Sequence, residues 1–131
     1  MKVLLVNDEP ATLLILESMF KYSLKISTIS KASNGLEAID KAIGMDLVIM
    51  DLNMPIMDGY ASCRKIKDRE PSPYVIAVSA SNFSPDMLSH CKDSGFDDQF
   101  VSPLTVIDIR MKVLPKVLEN ALSGSSISES S

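Results

Sequence analysis

Short apolar runs alternate with segments of helical spacing along most of the chain. The apolar runs cover residues 3–6, 26–29, 47–50, 74–78 and 100–101. Between them, apolar residues recur every three or four positions, as Leu13, Leu16 and Phe20 do after Pro10. Because this is the spacing of an amphipathic helix, the pattern predicts five strands, each followed by a helix.

Local start and stop signals give the helix boundaries. Pro10 suits the first turn of helix 1. Asn34 and Glu37 have the spacing of a capping box at the start of helix 2. Helix 3 is predicted over residues 58–67, helix 4 from Ser84 to Gly95, and helix 5 from Thr105 onward.

Strict alternation of helices with nearly all-apolar strands is typical of a parallel sheet that is covered on both faces. The predicted fold class is therefore α/β, a three-layer sandwich. Its centre is a flavodoxin-like, doubly wound sheet of five parallel strands in the order 2-1-3-4-5. In that order a ligand site is expected beyond the carboxyl ends of strands 1 and 3.

The chain of 131 residues fits one domain, predicted over residues 1–122. The segment 123–131 is Ser-rich and is predicted to be a disordered tail. Pro115 interrupts the helical spacing of residues 107–118, and an interior proline removes a hydrogen bond. The last helix is therefore expected to be kinked or broken near Met111.

Composition and charge exclude several classes of protein. The net charge of −4 and the lack of a basic stripe argue against nucleic-acid binding. No apolar stretch approaches the roughly 20 residues that span a bilayer, so no membrane contact by this domain and a cytoplasmic location are expected. Cys63 and Cys91 lack the spacing of a metal or redox pair, and we interpret them as buried thiols. His90 is expected to have a surface or packing role.

Two of the apolar runs end in acidic residues. Val6 leads into Asn7 and Asp8, and Met50 leads into Asp51. Because strands 1 and 3 are neighbours in the predicted order, both carboxylates are expected at one site. Carboxylates there suit either chemistry on the acid itself or divalent metal binding.

The sequence around these acids resembles response-regulator receiver domains of two-component signalling. The strongest match is residues 46–59, DLVIMDLNMPIMDG, supported by VNDEP at 6–10, VSA at 78–80 and the GFDD string at 95–98. The last string and Ser-Pro-Leu at 102–104 are similar to strings that occur in the receivers of eukaryotic hybrid histidine kinases.

This resemblance implies a function and a set of site residues. Asp51 would accept a phosphoryl group from a histidine kinase or a histidine phosphotransfer protein. Mg²⁺ would be held by the Asp8 and Asp51 side chains and the Asn53 carbonyl oxygen, and Ser79 would hydrogen-bond the phosphoryl group. A downstream partner would bind the face of helix 4, strand 5 and helix 5. The bond before Pro103 is expected to be cis.

Three positions depart from the family pattern. Asn7 stands where most receivers have an acid, Ser102 where they have a lysine, and Gln99 where they have an aromatic residue. The missing lysine removes a charge-assisted partner for phosphate. Phosphorylation at Asp51 is therefore expected to be weakened or reshaped.

Three alternatives compete with this interpretation, and the second and third lack a feature that they require. The first is a pseudo-receiver, an interaction module with the fold but little or no phosphoryl transfer. A flavodoxin-like FMN enzyme would need a Ser/Thr/Gly-rich phosphate loop where Asn7-Asp8-Glu9 stands. A haloacid-dehalogenase-type phosphatase would need a second aspartate where Asn53 stands.

Overall fold

Five strands form one parallel sheet in the described part of the chain. The computed structural model describes residues 1–54 and 56–130, with side chains as far as Ser123. The strands are β1 Lys2–Val6, β2 Thr28–Ala32, β3 Leu47–Asp51, β4 Tyr74–Ser79 and β5 Asp98–Val101. Their order is β2-β1-β3-β4-β5. The predicted fold class and strand order are confirmed.

Helices connect successive strands, and two of them contain a wider π-helical turn. They are α1 Pro10–Ser18, extended by the π turn Met19–Ser23, then α2 Gly35–Lys41, α3 Gly59–Lys67, α4 Pro85–Ser94, and α5, which comprises Val106–Asp108, the π turn Ile109–Val113 and Leu114–Ser130. Side-chain caps start α2, α3, α4 and α5, at Asn34, Asp58, Ser84 and Thr105. The sequence signals for these four starts are confirmed.

The helices lie on both faces of the sheet because strand residues are apolar on both sides. Leu4, Val6, Val48 and Met50 face the core shared with α2, α3 and α4. Their strand neighbours Val3, Leu5, Leu47 and Ile49 face the core shared with α1 and α5. Successive side chains of a strand point to opposite faces, so this division follows from the alternation itself.

The predicted bounds of the second strand are wrong. The sequence predicts residues 26–29, whereas β2 is Thr28–Ala32. Ile26 belongs to the turn after α1, where its N–H donates to the carbonyl oxygen of Phe20 at 2.8 Å. As an edge strand, β2 has a partly exposed, mixed sequence, and the apolar run was therefore a poor guide to its bounds.

Pro115 does not break the last helix. The irregularity lies one turn earlier, in the π turn Ile109–Val113, which includes Met111. A π turn alters the spacing of the carbonyl groups that precede the proline. Arg110 in this turn donates to the carbonyl oxygen of Ser23 at 2.6 Å, which ties the two π turns together.

The two cysteines are buried, and the histidine packs on an aromatic ring at the surface. Cys63 and Cys91 are free and buried, as predicted, and burial raises the pKa of the Cys63 thiol to about 12. His90 stacks on Tyr60 with ring centroids 3.7 Å apart, joining α4 to α3. His90 is an exposed residue, so the predicted surface or packing role is confirmed.

Two predictions concern the end of the chain and its surroundings. The last helix runs to Ser130, through most of the segment 123–131 that is predicted to be a disordered tail, and Ser131 lies outside the described residues. The domain boundary at 122 stays a prediction. Within the described residues, none of the helices has both the length and the apolar content that a bilayer crossing requires. The cytoplasmic location also stays a prediction.

Candidate functional site

The carboxyl ends of β1, β3 and β4 open into one cleft of about 460 Å³. Asp8, Asp51, Asn53 and Ser79 all line it. The structure therefore brings together the four residues that the sequence singled out. Gln99 is half-buried on β5 and lies outside the lining of this cleft.

Close packing around the end of β3 positions Asp51. Asp51 is in register with Val78 of β4, and the N–H of Leu52 donates to the Val78 carbonyl oxygen at 3.1 Å. Gly59 lies against the same strand end, where an added Cβ would stand 2.5 Å from the carbonyl oxygen of Asp51. The loop after β3 therefore folds back on the strand end and holds the backbone of Asp51 in place.

The environment of Asp51 disfavours its charged form. Burial raises the pKa of its carboxyl group, and the negative charges of Asp8 and Glu9 raise the pKa further. Hydrogen bonds from the N–H groups of Asn53 and Leu52 oppose this effect, and the Asn53 bond to Asp51 Oδ1 measures 3.2 Å. A cation at this point would relieve the repulsion among the acids.

The end of β1 supplies the other acids through a tight turn. Asn7 Oδ1 accepts a hydrogen bond from the N–H of Glu9 at 2.9 Å. The Glu9 carboxylate accepts one from the Thr12 hydroxyl at 2.8 Å, which ties it to the first turn of α1. Asn7, where receivers usually have an acid, thus acts as a turn residue.

The opposite wall of the cleft is made of neutral groups. Ser79 is 1% exposed, and its Oγ accepts a hydrogen bond from the N–H of Ser81 at 3.2 Å. The N–H of Ser102 donates to the Ser79 carbonyl oxygen at 2.7 Å. The Ser102–Pro103 bond is cis, as expected.

The donor groups are few but suited to a hard cation. Within the described residues, no three His, Cys, Asp or Glu side chains are grouped so that they could hold a metal by themselves. The cleft offers the carboxylates of Asp8 and Asp51 and the oxygen atoms of Asn53. Mg²⁺ is commonly held by one or two carboxylates and several waters, so this set fits that ion.

Sequence reasoning missed two features of the cleft. Glu9 lines it and raises the pKa of Asp51, whereas the sequence indicates Glu9 only as part of the VNDEP string. The cleft also has apolar walls from α1, including Leu16 and Met19. The acidic run after β1 was a signal for Glu9, but no sequence signal indicated a gap between helices.

A comparison with protein-family models decides the family. The model described as the response regulator receiver domain matches residues 3–114. The chain belongs to the response-regulator receiver family. It is thus a receiver domain of two-component signalling, and the predicted resemblance is confirmed.

Curated relatives of this receiver domain are much longer proteins. Hybrid signal transduction histidine kinase L of Dictyostelium discoideum is 31% identical over 137 residues, covering 97% of this chain and 8% of the kinase. A protein-glutamate methylesterase/protein-glutamine glutaminase of Methanospirillum hungatei is 43% identical over 83 residues, covering 62% of this chain and 24% of that protein. The chain therefore spans a quarter or less of these relatives.

Solved structures of receiver domains share the fold. The receiver domain of the sensor histidine kinase PA1611 of Pseudomonas aeruginosa, with a magnesium ion coordinated in its active-site cleft, is 25% identical with a TM-score of 0.77, covering 88% of this chain and 96% of that one. The receiver domain of Ssk1 of Saccharomyces cerevisiae, in complex with the histidine phosphotransfer protein Ypd1, is 28% identical with a TM-score of 0.75, covering 86% of each chain.

Proposed function

We propose that this receiver domain accepts a phosphoryl group on Asp51 from the phosphohistidine of a histidine kinase or a histidine phosphotransfer protein. The observation that carries the proposal is the position of Asp51 at the tip of β3. There its half-buried carboxylate shares a cleft with Asp8, Asn53 and Ser79. The Ypd1 complex of the Ssk1 receiver supports this class of donor.

The transfer balances with Asp51 as the nucleophile. One carboxylate oxygen of Asp51 forms the new O–P bond while the P–N bond to the donor histidine breaks. The ring nitrogen keeps the electron pair of that bond and becomes a neutral imidazole nitrogen. An aspartyl phosphate results, a covalent intermediate of the kind that carboxylate nucleophiles form.

Asp8, Asp51 and the carbonyl oxygen of Asn53 are the proposed Mg²⁺ ligands. When bound, the ion neutralises charge on the phosphoryl oxygens and brings them close to the acids. The raised pKa of Asp51 supports a cation here, because it reflects burial first and then the negative charges of Asp8 and Glu9, and a cation would offset both. The magnesium ion in the PA1611 receiver supports the same assignment.

Neutral donors would complete the phosphoryl site. Ser79 is buried beside Ser102, and its hydroxyl can donate to a phosphoryl oxygen. Ser102 leaves the site without the ammonium group that is usual in the family. A neutral hydrogen bond is about half as strong as a charge-assisted one, so the phosphorylated form is less stabilised here than in an ordinary receiver.

The proposed output surface is the face formed by α4, β5 and α5. Exposed apolar side chains support it, because Ile107 and Met111 on α5 are each 72% exposed and Val101 on β5 is 42% exposed. Contact with a partner would remove these groups from water. A change at Asp51 would reach this face through β4 and β5, which are joined by the Ser102–Ser79 hydrogen bond.

Intact-mass spectrometry after incubation with acetyl phosphate and Mg²⁺ tests this function. We expect one phosphoryl adduct on the wild type and none on Asp51→Asn. Asp58→Asn is the matched control in the same loop. Asp58 caps α3 by accepting from the N–H of Ala61 at 2.9 Å, and asparagine caps a helix equally well.

The pseudo-receiver is the competing function. Asn7, Gln99 and Ser102 favour it, because each departs from the residue that is usual at its position in the family. An unmodified wild type under saturating acetyl phosphate and Mg²⁺ would support the pseudo-receiver and contradict phosphoryl acceptance. An adduct that persists on Asp51→Asn would instead show that the wrong acid was assigned.

A further inference from the structure

The cleft extends beyond the space next to Asp51. Its volume of about 460 Å³ lies within the range of roughly 300–1,000 Å³ found for small-molecule sites. From the acids it continues between α1 and the loop that joins β5 to α5. Six apolar side chains line that part: Ile15, Leu16, Met19, Ile49, Val78 and Leu104.

This part of the cleft brings apolar side chains of the sheet and of α1 together in one lining. Ile49 precedes Asp51 by two residues on β3, so both side chains project from the same face of the sheet. Ile49 and Leu104 are 2% and 4% exposed, whereas Leu16 and Met19 are half-buried. An apolar group in the cleft would therefore meet both the sheet and α1.

The other part of the cleft is anionic. Asp8, Glu9 and Asp51 all line the cleft. Among the described lining residues there is no lysine, arginine or histidine. Such a cleft complements a ligand that has an apolar body and a cationic head, since each half of that ligand would be matched by one half of the cleft.

We propose that the cleft binds small organic cations, namely primary amines that carry an aryl or short alkyl body. The ammonium head lies between Asp8 and Asp51, and the body lies against Leu16, Met19 and Ile49. The ligand occupies the place of the metal ion and so blocks phosphoryl acceptance. The binding itself stands on the cavity and its charge, and it does not depend on Asp51 being a phosphoryl acceptor.

The probe for this site is 2-phenylethylammonium, titrated into the full chain and followed by ¹H–¹⁵N NMR and calorimetry. We expect saturable binding with shifts centred on Asp8, Leu16, Met19 and Asp51. Methylammonium, which has the head alone, and 2-phenylethanol, which has the body alone, should each bind at least about tenfold more weakly. Equal binding of the neutral alcohol would overturn the proposal, as would the absence of saturable binding.

Competition locates the head of the ligand. Mg²⁺ should weaken 2-phenylethylammonium binding in proportion to its concentration, because both cations need the same carboxylates. Binding that Mg²⁺ does not change would overturn the proposed position. Failure of acetyl phosphate to modify Asp51 would contradict the proposed function and leave amine binding standing, so the two failures are distinguishable.

Matched variants on α1 locate the body of the ligand. Leu16→Gln should weaken binding about tenfold by making the apolar wall polar. Leu13→Gln is its control, because Leu13 is also half-buried on α1 against the same core but lies outside the cleft.

A second pair of variants is used if Leu16→Gln fails to fold. In that pair Ile15→Gln is the test and Leu14→Gln is the control. Both side chains are 63% exposed, and only Ile15 lines the cleft. Equal affinities within a matched pair would overturn the proposal.

Discussion

The two halves of the cleft differ in what they present to a phosphoryl group. The half formed by β1 and β3 carries the carboxylates of Asp8, Glu9 and Asp51, whereas the half formed by β4 and β5 carries the hydroxyl groups of Ser79 and Ser102. The first half has what a nucleophile and a cation require. The second half offers only neutral hydrogen bonds.

This difference indicates which step each half controls. Accepting a phosphoryl group depends on the nucleophile and the cation, and both belong to the acidic half. Holding the phosphorylated form depends on partners for the new phosphoryl oxygens, and these belong to the neutral half. We therefore expect acceptance to survive in this receiver while the bound phosphoryl group is held less firmly than in a receiver with the usual lysine.

The packing of the acidic half gives the largest expected effect. Gly59→Ala would place a Cβ 2.5 Å from the carbonyl oxygen of Asp51 and 3.0 Å from Leu52 Cα. Both contacts are with backbone, so the loop must shift, and overpacking of this kind costs about 1–3 kcal/mol in the free energy of unfolding. Urea denaturation measures the change. An unaltered unfolding midpoint would show that this strand end is not held as described.

The affinity for Mg²⁺ should depend more on Asp8 than on Glu9, the two acids that follow β1. Asp8→Asn should weaken Mg²⁺ binding about tenfold, equivalent to about 1.4 kcal/mol, because it removes one of the two proposed carboxylate ligands. Glu9→Gln is the matched control and should weaken binding less, since the Glu9 carboxylate is engaged by Thr12. Calorimetry measures both affinities. A larger loss for Glu9→Gln would reverse the assignment of ligands.

Coupling between the halves is the next expected effect. Ser102→Lys adds a partner for phosphate but weakens Mg²⁺ binding, and Asn7→Asp restores the lost negative charge. Aspartate at position 7 can still accept the hydrogen bond from Glu9 N–H. The gain in phosphoryl retention in the double variant should exceed the sum of the gains in the two single variants by about 0.5 kcal/mol or more. Strict additivity in a double-mutant cycle would show that the two departures are independent.

The pH dependence of stability gives the smallest expected effect. Burial and the charges of Asp8 and Glu9 raise the pKa of Asp51 above the ordinary 3.8. Between 3.8 and the raised value the folded state binds more protons than the unfolded state, so the free energy of unfolding falls as the pH rises through that window. This loss of stability persists at higher pH and is absent below pH 3.8.

Asp51→Asn removes the charged carboxylate and therefore removes this loss of stability. The variant should be more stable than the wild type at neutral pH. The difference should shrink as the pH falls from the raised pKa of Asp51 toward 3.8, and it should be absent below 3.8. Thermal unfolding across pH, with metal ions removed by a chelator, measures the difference. A variant that is less stable than the wild type at neutral pH would contradict the described environment of Asp51.

Much of the acidic half could be predicted from the sequence. The apolar runs of β1 and β3 are buried on both faces, so their hydrophobic pattern is strong and their ends are clear. In a parallel sheet, strand order alone then places Asp8 beside Asp51. The helix caps at Asn34 and Ser84 were also readable, because they depend on local hydrogen bonds.

Features that depend on tertiary packing could not be predicted. The bounds of β2 were displaced because an edge strand has a weaker apolar pattern. The π turn in α5 left no clear signal except Pro115, which indicated an irregularity without its form. The apolar wall made by Leu16 and Met19 results from the spacing between α1 and the loop before α5, a distance that no local pattern encodes.

Phosphorylation by phosphoramidate tests the central claim most directly, because this donor carries a P–N bond like that of phosphohistidine. After incubation with Mg²⁺, borohydride would reduce an aspartyl phosphate to homoserine, and peptide mapping would locate the reduced residue. The account predicts homoserine at position 51 in the wild type and none when Mg²⁺ is omitted. Reduction at another acid, or an unmodified Asp51 at saturating phosphoramidate and Mg²⁺, would contradict it.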